Sequence, residues 1–220
     1  MGKSRCPPNG HIGKTEIMTS HALHGQIIAF EGADGAGKTS LSRMLYSYLS
    51  ENGVSASLFS FPGKETSELG SLVYNFHHMA TASEVQVDNF SLQLLHVAAH
   101  IDMLNNHILP ELQRGSCVIL DRYWWSVVVY GLQSNVPERH LKGLIEIEKS
   151  FWKDLKPSVI FLLERDHEDD STRELTQLYM KLYGEESSDG SVQLIQNRFL
   201  INSFQAVLDS LHKRELFHDL

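Results

Sequence analysis

The residues Gly32, Gly37, Lys38 and Thr39 in the stretch EGADGAGKT match the phosphate-binding spacing G-x-x-x-x-G-K-[ST]. Glycines let successive backbone N–H groups turn inward around a phosphate without a Cβ clash. The start of a following helix adds its positive dipole end. A lysine there can neutralise β- and γ-phosphates, and a threonine hydroxyl can reach Mg²⁺. Gly32, Gly35, Ala36, Gly37, Lys38, Thr39 and Ser40 are therefore the candidate contacts to a nucleoside triphosphate. Two further groups could work with them. Phe61-Pro62-Gly63-Lys64 offers an aromatic ring, a turn and a cation, and Asp121-Arg122-Tyr123 offers a carboxylate beside a guanidinium. An aspartate can hold water on Mg²⁺ and an arginine can pair with a phosphate. The competing reading of Asp121-Arg122 is a helix cap beside a surface arginine.

These groups act together only if strands and helices deliver them to one rim. Ile27–Phe30 is a short apolar run suited to a buried strand, and Thr39–Leu49 places Leu41, Leu45, Tyr48 and Leu49 at helical spacing. Gly53 is a helix stop; Val54–Phe61 reads as a second strand ended by Pro62-Gly63. Thr66–Met79 reads as a helix, and Ser83–Gln113 as a long one that Pro110 breaks or kinks. Cys117–Leu120 and Val159–Leu163 are further strands, with Glu138–Trp152 a helix between them. The stretch 164–190 is acid-rich with a helical centre at Leu175–Tyr183, and Ser191–Leu211 reads as a final long helix. Strands separated by helices imply an α/β fold, a doubly wound parallel sheet with ligands at the carboxyl ends of its strands.

Bulk properties narrow the class. A chain of 220 residues that is 42% hydrophobic can bury one large core. The net charge of −8 argues against a nucleic-acid polymer as partner. Cys6 and Cys117 do not make a disulfide framework, which fits a reducing, cytoplasmic setting. No apolar stretch approaches the length of a membrane span. Residues 1–24 show little apolar periodicity and no signal-peptide core. They are expected to form a disordered tail, or to begin at an upstream start codon with Met18 as the true start; an organelle presequence is the alternative. Residues 25–220 are then a single domain.

EGADGAGKT, SFPGK, LQLLHVAAHIDMLNNHILPEL and GSCVILDRYWWSVVVYG together resemble the thymidylate kinase family, in register from about Gln26 to Tyr130 and more loosely to about Leu211. The resemblance implies a P-loop kinase fold with about five parallel strands and a short lid, here about 164–190. It implies transfer of the ATP γ-phosphate to dTMP with Mg²⁺ present, and a homodimer packed through helices by analogy. By resemblance Lys38 bridges the donor phosphates, Thr39 and Asp121 serve Mg²⁺, and Asp34 meets the acceptor's 3′-hydroxyl side. Lys64 and Arg122 grip the acceptor phosphate, with Phe61 and Tyr130 beside the substrate.

The sequence departs from the family in three places. Where the family carries an aromatic and, four residues on, an arginine against the base, this chain has His96 and His100. Their i, i+4 spacing keeps them on one face, but imidazole lacks the guanidinium fork. Competing readings are a solvated helix face, or a zinc site completed by His107. Val127 and Gly131 stand where polar base-reading groups are common, which leaves a different nucleotide or nucleoside acceptor open. Finally, the family's transition-state arginine comes from the P-loop or the lid; Ala36 fills the loop position, leaving Arg173 or Arg165. Arg173 is the candidate because it begins the helical part of the lid, against the alternative of a surface pair with Asp169 or Asp170. A lid this poor in arginine also leaves open a nucleotide-binding protein with weak or lost catalysis.

Overall fold

A computed structural model of the chain describes residues 25–79, 87–165 and 169–217. The expected tail, 1–24, and the start of the expected long helix, 83–86, lie outside the described residues. Five parallel strands form one sheet: β1 (Ile27–Glu31), β2 (Ala56–Ser60), β3 (Cys117–Asp121), β4 (Val159–Glu164) and β5 (Val192–Gln196), in the order β2-β3-β1-β4-β5. β1 lies between β3 and β4, with Phe30 opposite both Asp121 and Phe161. The strand order reverses around β1 and β3, so their carboxyl ends open a crevice for a ligand.

Alternation along the strands builds a core on each face. Ile28, Phe30, Ile119, Phe161 and Leu163 pack on one face against Leu41, Leu45 and Leu49 of α1 (Lys38–Glu51) and Val207 and Leu211 of α8 (Leu200–Lys213). Ala29, Val118, Leu120, Ile160 and Leu162 pack on the other. There they meet α3 (Asn89–Met103), α5 (Trp124–Gln133), α6 (Glu138–Trp152) and α7 (Asp170–Glu186). α2 (Glu68–Met79) lies against α3. Asp88 caps α3, accepting from the N–H groups of Phe90 and Ser91 at 2.9 and 3.2 Å, and Asp169 caps α7 through the Thr172 N–H at 2.7 Å. α3 runs into a π-helical segment, Leu104–Ile108, and then α4 (Leu109–Gln113). Pro110 has no N–H to return to Asn106, so a wider turn is a low-cost way to continue.

One expected element changes, and one segment with no expected element becomes a helix. Ser191–Leu211 is not one helix: it is β5, a loop and α8. Val192 and Ile195 are buried while Gln196 is exposed, and β4 supplies the partner that a local helical pattern cannot foresee. The segment after Tyr123, rich in valine and aromatics, forms α5. β-branched and aromatic residues favour strands, but α5 is wrapped by core and is apolar nearly all round, which suits a buried helix. The expected lid centre extends to α7, and no helix among the described residues is long and apolar enough to cross a membrane.

Candidate active site

The loop between β1 and α1 is held by left-handed glycines. Gly32, Gly35 and Gly37 have φ of 140°, 75° and 100°. A Cβ on Gly32 would stand 2.4 Å from the Leu163 carbonyl oxygen, so only glycine passes over β4 there. Asn197, just past β5, donates from Nδ2 to the Ala36 carbonyl at 2.7 Å and props the loop from below. Lys38 is 5% exposed, and its Nζ donates to the carbonyls of Gly32 and Ala33, both at 2.8 Å. Burial first, and then the charge of Arg122, lowers its pKa to about 8. The first turn of α1 has N–H groups with no intrahelical acceptor, aimed at the same space. Lysine, orphan N–H groups and helix dipole together make an anion site.

Thr39 Oγ1 donates to Asp121 Oδ2 at 2.6 Å. A hydroxyl and a carboxylate in contact are hard oxygen donors, fit for an Mg²⁺ ion that keeps several waters. Next to Asp121, Arg122 takes φ of 80°, which swings its side chain back across the cleft. Its Nη2 donates to Asp34 Oδ1, its Nη1 to Ser126 Oγ at 3.2 Å, and its Cζ lies 5.1 Å from the Tyr130 ring centre. Burial alone would raise the Asp34 carboxyl, but the charges of Arg122 and Lys38 and the hydrogen bonds from Tyr130 and Arg122 together outweigh it and the pKa is lowered.

These groups line one cleft of about 730 Å³ that runs from the loop past Arg122 to a wall of rings. Lys64, Tyr74, His77, His96, His100 and Tyr130 all face it. Lys64 Nζ stands 4.1 Å over the Tyr74 ring. Phe61 stacks on His100 with ring centres 4.0 Å apart and planes at 17°. His100 is 2% exposed and its Nδ1 lies 3.0 Å from Glu148 Oε1 on α6. The solvated-face reading of the two histidines is thereby overturned. His96 sits edge-on to His77 and to His100, and burial, followed by the neighbouring imidazoles, lowers its pKa well below the usual value. The zinc reading fails too: His107 lies by Phe59 at a separate surface hollow, and no cluster of metal-ligating side chains occurs among the described residues.

Of the sequence-derived candidates, Asp34, Gly35, Gly37, Lys38, Thr39, Ser40, Phe61, Lys64, His96, His100, Asp121, Arg122 and Tyr130 meet at this cleft. Ala36 is fully buried beneath the loop and offers its carbonyl to Asn197. Arg173 is not among the residues that line the cleft. Its guanidinium is taken by Asp170 one turn away, as an i, i+3 pair, because helix geometry puts the two side by side. Arg165 is the lid arginine that lines the cleft, its Nη1 donating to the Gly35 carbonyl at 3.3 Å.

Several groups were missed. Glu31 is 0% exposed and accepts from the N–H of Tyr123 (2.7 Å), the Ser126 hydroxyl (2.8 Å) and the Tyr179 hydroxyl (3.1 Å). It ties β1, α5 and α7 together behind Arg122, and burial raises its pKa. Glu148 is equally buried. A signal existed for it: Leu141, Leu144, Ile145, Glu148 and Trp152 fall at helical spacing on one buried stripe, so an acid stands in an apolar row.

Comparison with known proteins gives one family. The model described as thymidylate kinase matches residues 30–188. The thymidylate kinase of Francisella philomiragia subsp. philomiragia is 32% identical over 143 residues, covering 64% of this chain and 67% of that protein. That of Plasmodium falciparum is 30% identical over 151 residues, covering 66% and 64%. The chain thus spans about two thirds of the length of these relatives. A thymidylate kinase structure from Ehrlichia chaffeensis superposes with a TM-score of 0.69 at 22% identity, over 85% of this chain and 98% of that one. One from Candida albicans gives 0.69 at 18% identity, over 87% and 92%. At these identities the structures speak to the fold alone.

Proposed function

The chain belongs to the thymidylate kinase family, and from that premise we propose that it transfers the γ-phosphate of ATP to dTMP, giving dTDP and ADP. The observation that carries this reading is the single cleft in which the loop, the Thr39–Asp121 pair, Arg122 and the ring wall follow one another. Its loop end fits a triphosphate, and its ring-lined end fits a flat heterocycle with a phosphate turned toward Arg122.

Phosphoryl transfer needs little covalent help; positioning and neutralisation of charge dominate. Lys38 and the first N–H groups of α1 hold the β- and γ-phosphates. When bound, Mg²⁺ supplies charge neutralisation at those oxygens, with Thr39 and Asp121 as its protein-side contacts. Arg122 exchanges its contact with Asp34 for the acceptor phosphate, and Lys64 adds a second cation. Asp34, released, meets the 3′-hydroxyl side of the sugar. Arg165 takes the lid-arginine role first assigned to Arg173. Phe61 and Tyr130 flank the substrate, and His96 and His100 meet the base. The setting is cytoplasmic, and the working form is a homodimer in which exposed Leu72 and Phe76 of α2 and Leu94 of α3 are covered.

The test mixes the protein with Mg²⁺-ATP and a panel of nucleoside monophosphates and follows ADP release. Turnover that prefers dTMP is expected. Preference for another nucleotide would refute the acceptor assignment, and no turnover with any of them would refute the kinase reading.

A further inference from the structure

Tyr179 has no part in the reading above, yet its hydroxyl stands two contacts behind Arg122. It comes from α7 and is 1% exposed, and its Oη lies 2.9 Å from Ser126 Oγ and 3.1 Å from Glu31 Oε2. Ser126 Oγ is itself 2.8 Å from Glu31 Oε2, so the three oxygens form a closed, buried triangle. A guanidinium can only donate, so Ser126 Oγ accepts from Arg122 Nη1, at 3.2 Å. Within the triangle the hydrogens can run in either sense, and the contacts are the same in both.

The cleft holds Arg122 at two points, Asp34 on Nη2 and Ser126 on Nη1. A phosphate that displaces Asp34 still leaves Ser126 as a hold on the other nitrogen. A serine hydroxyl has three staggered positions, and only one of them points at Nη1. Glu31 and Tyr179 fix that position from two sides. Ser126 lies in the first turn of α5, whereas Tyr179 is carried by α7, so a second helix sets the aim of the hydroxyl. α7 has a separate tie to α5 near its start, where Gln133 Nε2 donates to the Ser171 carbonyl at 3.0 Å. Loss of the phenol oxygen alone therefore need not undock α7.

Resting on the kinase reading of this cleft, we propose that Tyr179 is a positioning residue for the acceptor phosphate: through Ser126 it orients the Arg122 guanidinium that grips that phosphate. The strength of a charge-assisted contact depends on the aim of its N–H groups. Positioning is also most of what a phosphoryl-transfer site supplies. The lost oxygen should therefore be felt at the phosphate and not at the base.

The experiment compares dTMP with thymidine, which share base and sugar and differ by the phosphate. Dissociation constants for both, and for Mg²⁺-ATP, are measured in the native protein, Tyr179→Phe, Ser126→Ala and the double variant. The ratio of the thymidine constant to the dTMP constant reads the grip on the phosphate. Tyr179→Phe should lower that ratio by about 3- to 10-fold, the scale of one hydrogen bond, with thymidine and Mg²⁺-ATP unmoved. Ser126→Ala should lower it at least as far. Tyr179→Phe added to Ser126→Ala should lower it no further, because residues acting along one path are not additive. A phenol that merely seats α7 would weaken thymidine and dTMP in parallel. That parallel loss, an unchanged ratio, or full additivity would overturn the proposal.

Tyr179→Phe keeps the ring that packs in the core. Should it still not fold, ¹³C-tyrosine spectra of the native protein decide. The Tyr179 Cζ signal should shift with dTMP and stay in place with thymidine. A signal blind to dTMP, or moved equally by both, overturns the proposal. Turnover is judged separately: a native protein that grips dTMP over thymidine but never phosphorylates it would strike the kinase reading, and the ratio would still judge Tyr179. A native ratio near one would remove the arginine's grip, and the proposal with it.

Discussion

Lys38 shows how one side chain can carry function against stability. Its ammonium is buried and its pKa is lowered to about 8, by burial first and Arg122 next, so the empty protein bears a cost that only phosphate removes. Lys38→Ala should therefore cut kcat by ~100-fold or more, the scale seen when one preorganised donor to a developing anion is lost. The melting temperature of the ligand-free protein should stay level or rise, and Mg²⁺-ATP should stabilise the native protein alone. Retained turnover would remove Lys38 from the site. A melting point that drops by many degrees would make the lysine structural. Lys38, Thr39, Asp121 and Arg122 could be picked out from sequence because motif spacing is local or anchored to strand ends. That Arg165 lines the cleft while Arg173 pairs with Asp170 could not be read from the sequence, since it depends on which guanidinium an acid meets on α7. Glu31 carries a signal of its own: a lone acid closing an apolar strand has to find donors somewhere.

At the level of elements, β1, β3, β4 and α1 were readable because each repeats a clean period between breakers, whereas β5 and α5 exist through their neighbours. Among the described residues β5 is an edge strand paired with β4, and its short apolar pattern merges into that of α8. Missing it also hid its use. Asn197 follows β5 directly, and its amide is the prop under the Ala36 carbonyl, 2.7 Å away and buried. The same amide stands where a Cβ on Gly37 would go, 2.2 Å from that position, so strand end and loop are fitted to each other. Asn197→Ala leaves a buried carbonyl without a donor, at a cost of about 1–3 kcal/mol. Denaturant unfolding should register that loss, and the KM for ATP should rise while the KM for dTMP stays put. Equal effects on both substrates would mean that β5 supports the whole cleft rather than its donor end.

Across the whole molecule, the cleft gathers the imidazoles of His77, His78, His96 and His100, and that ties global stability to pH. Burial, then the nearby imidazoles and Arg122, holds His96 well below its usual pKa; burial and His78 lower His77 against the opposing pull of Asp34. These histidines are neutral in the folded chain and free to protonate in the unfolded one. As pH falls below about 6.5 the unfolded state takes up protons that the folded state refuses, so stability is complete above that value and is lost progressively below it. The lowered carboxyls of Asp34, Asp88 and Glu138 act in the same direction but near and below their ordinary range, about pH 4. Glu31, raised by burial, acts with the opposite sign above about pH 4.5 and is common to any pair of variants that share it. Melting curves between pH 7.5 and pH 5 should thus fall by several degrees for the native protein, and His96→Gln should flatten the lower half of that curve. Parallel curves would show that His96 already carries its proton in the folded state, and the ring wall would then present a cation, not a neutral edge, to the acceptor base.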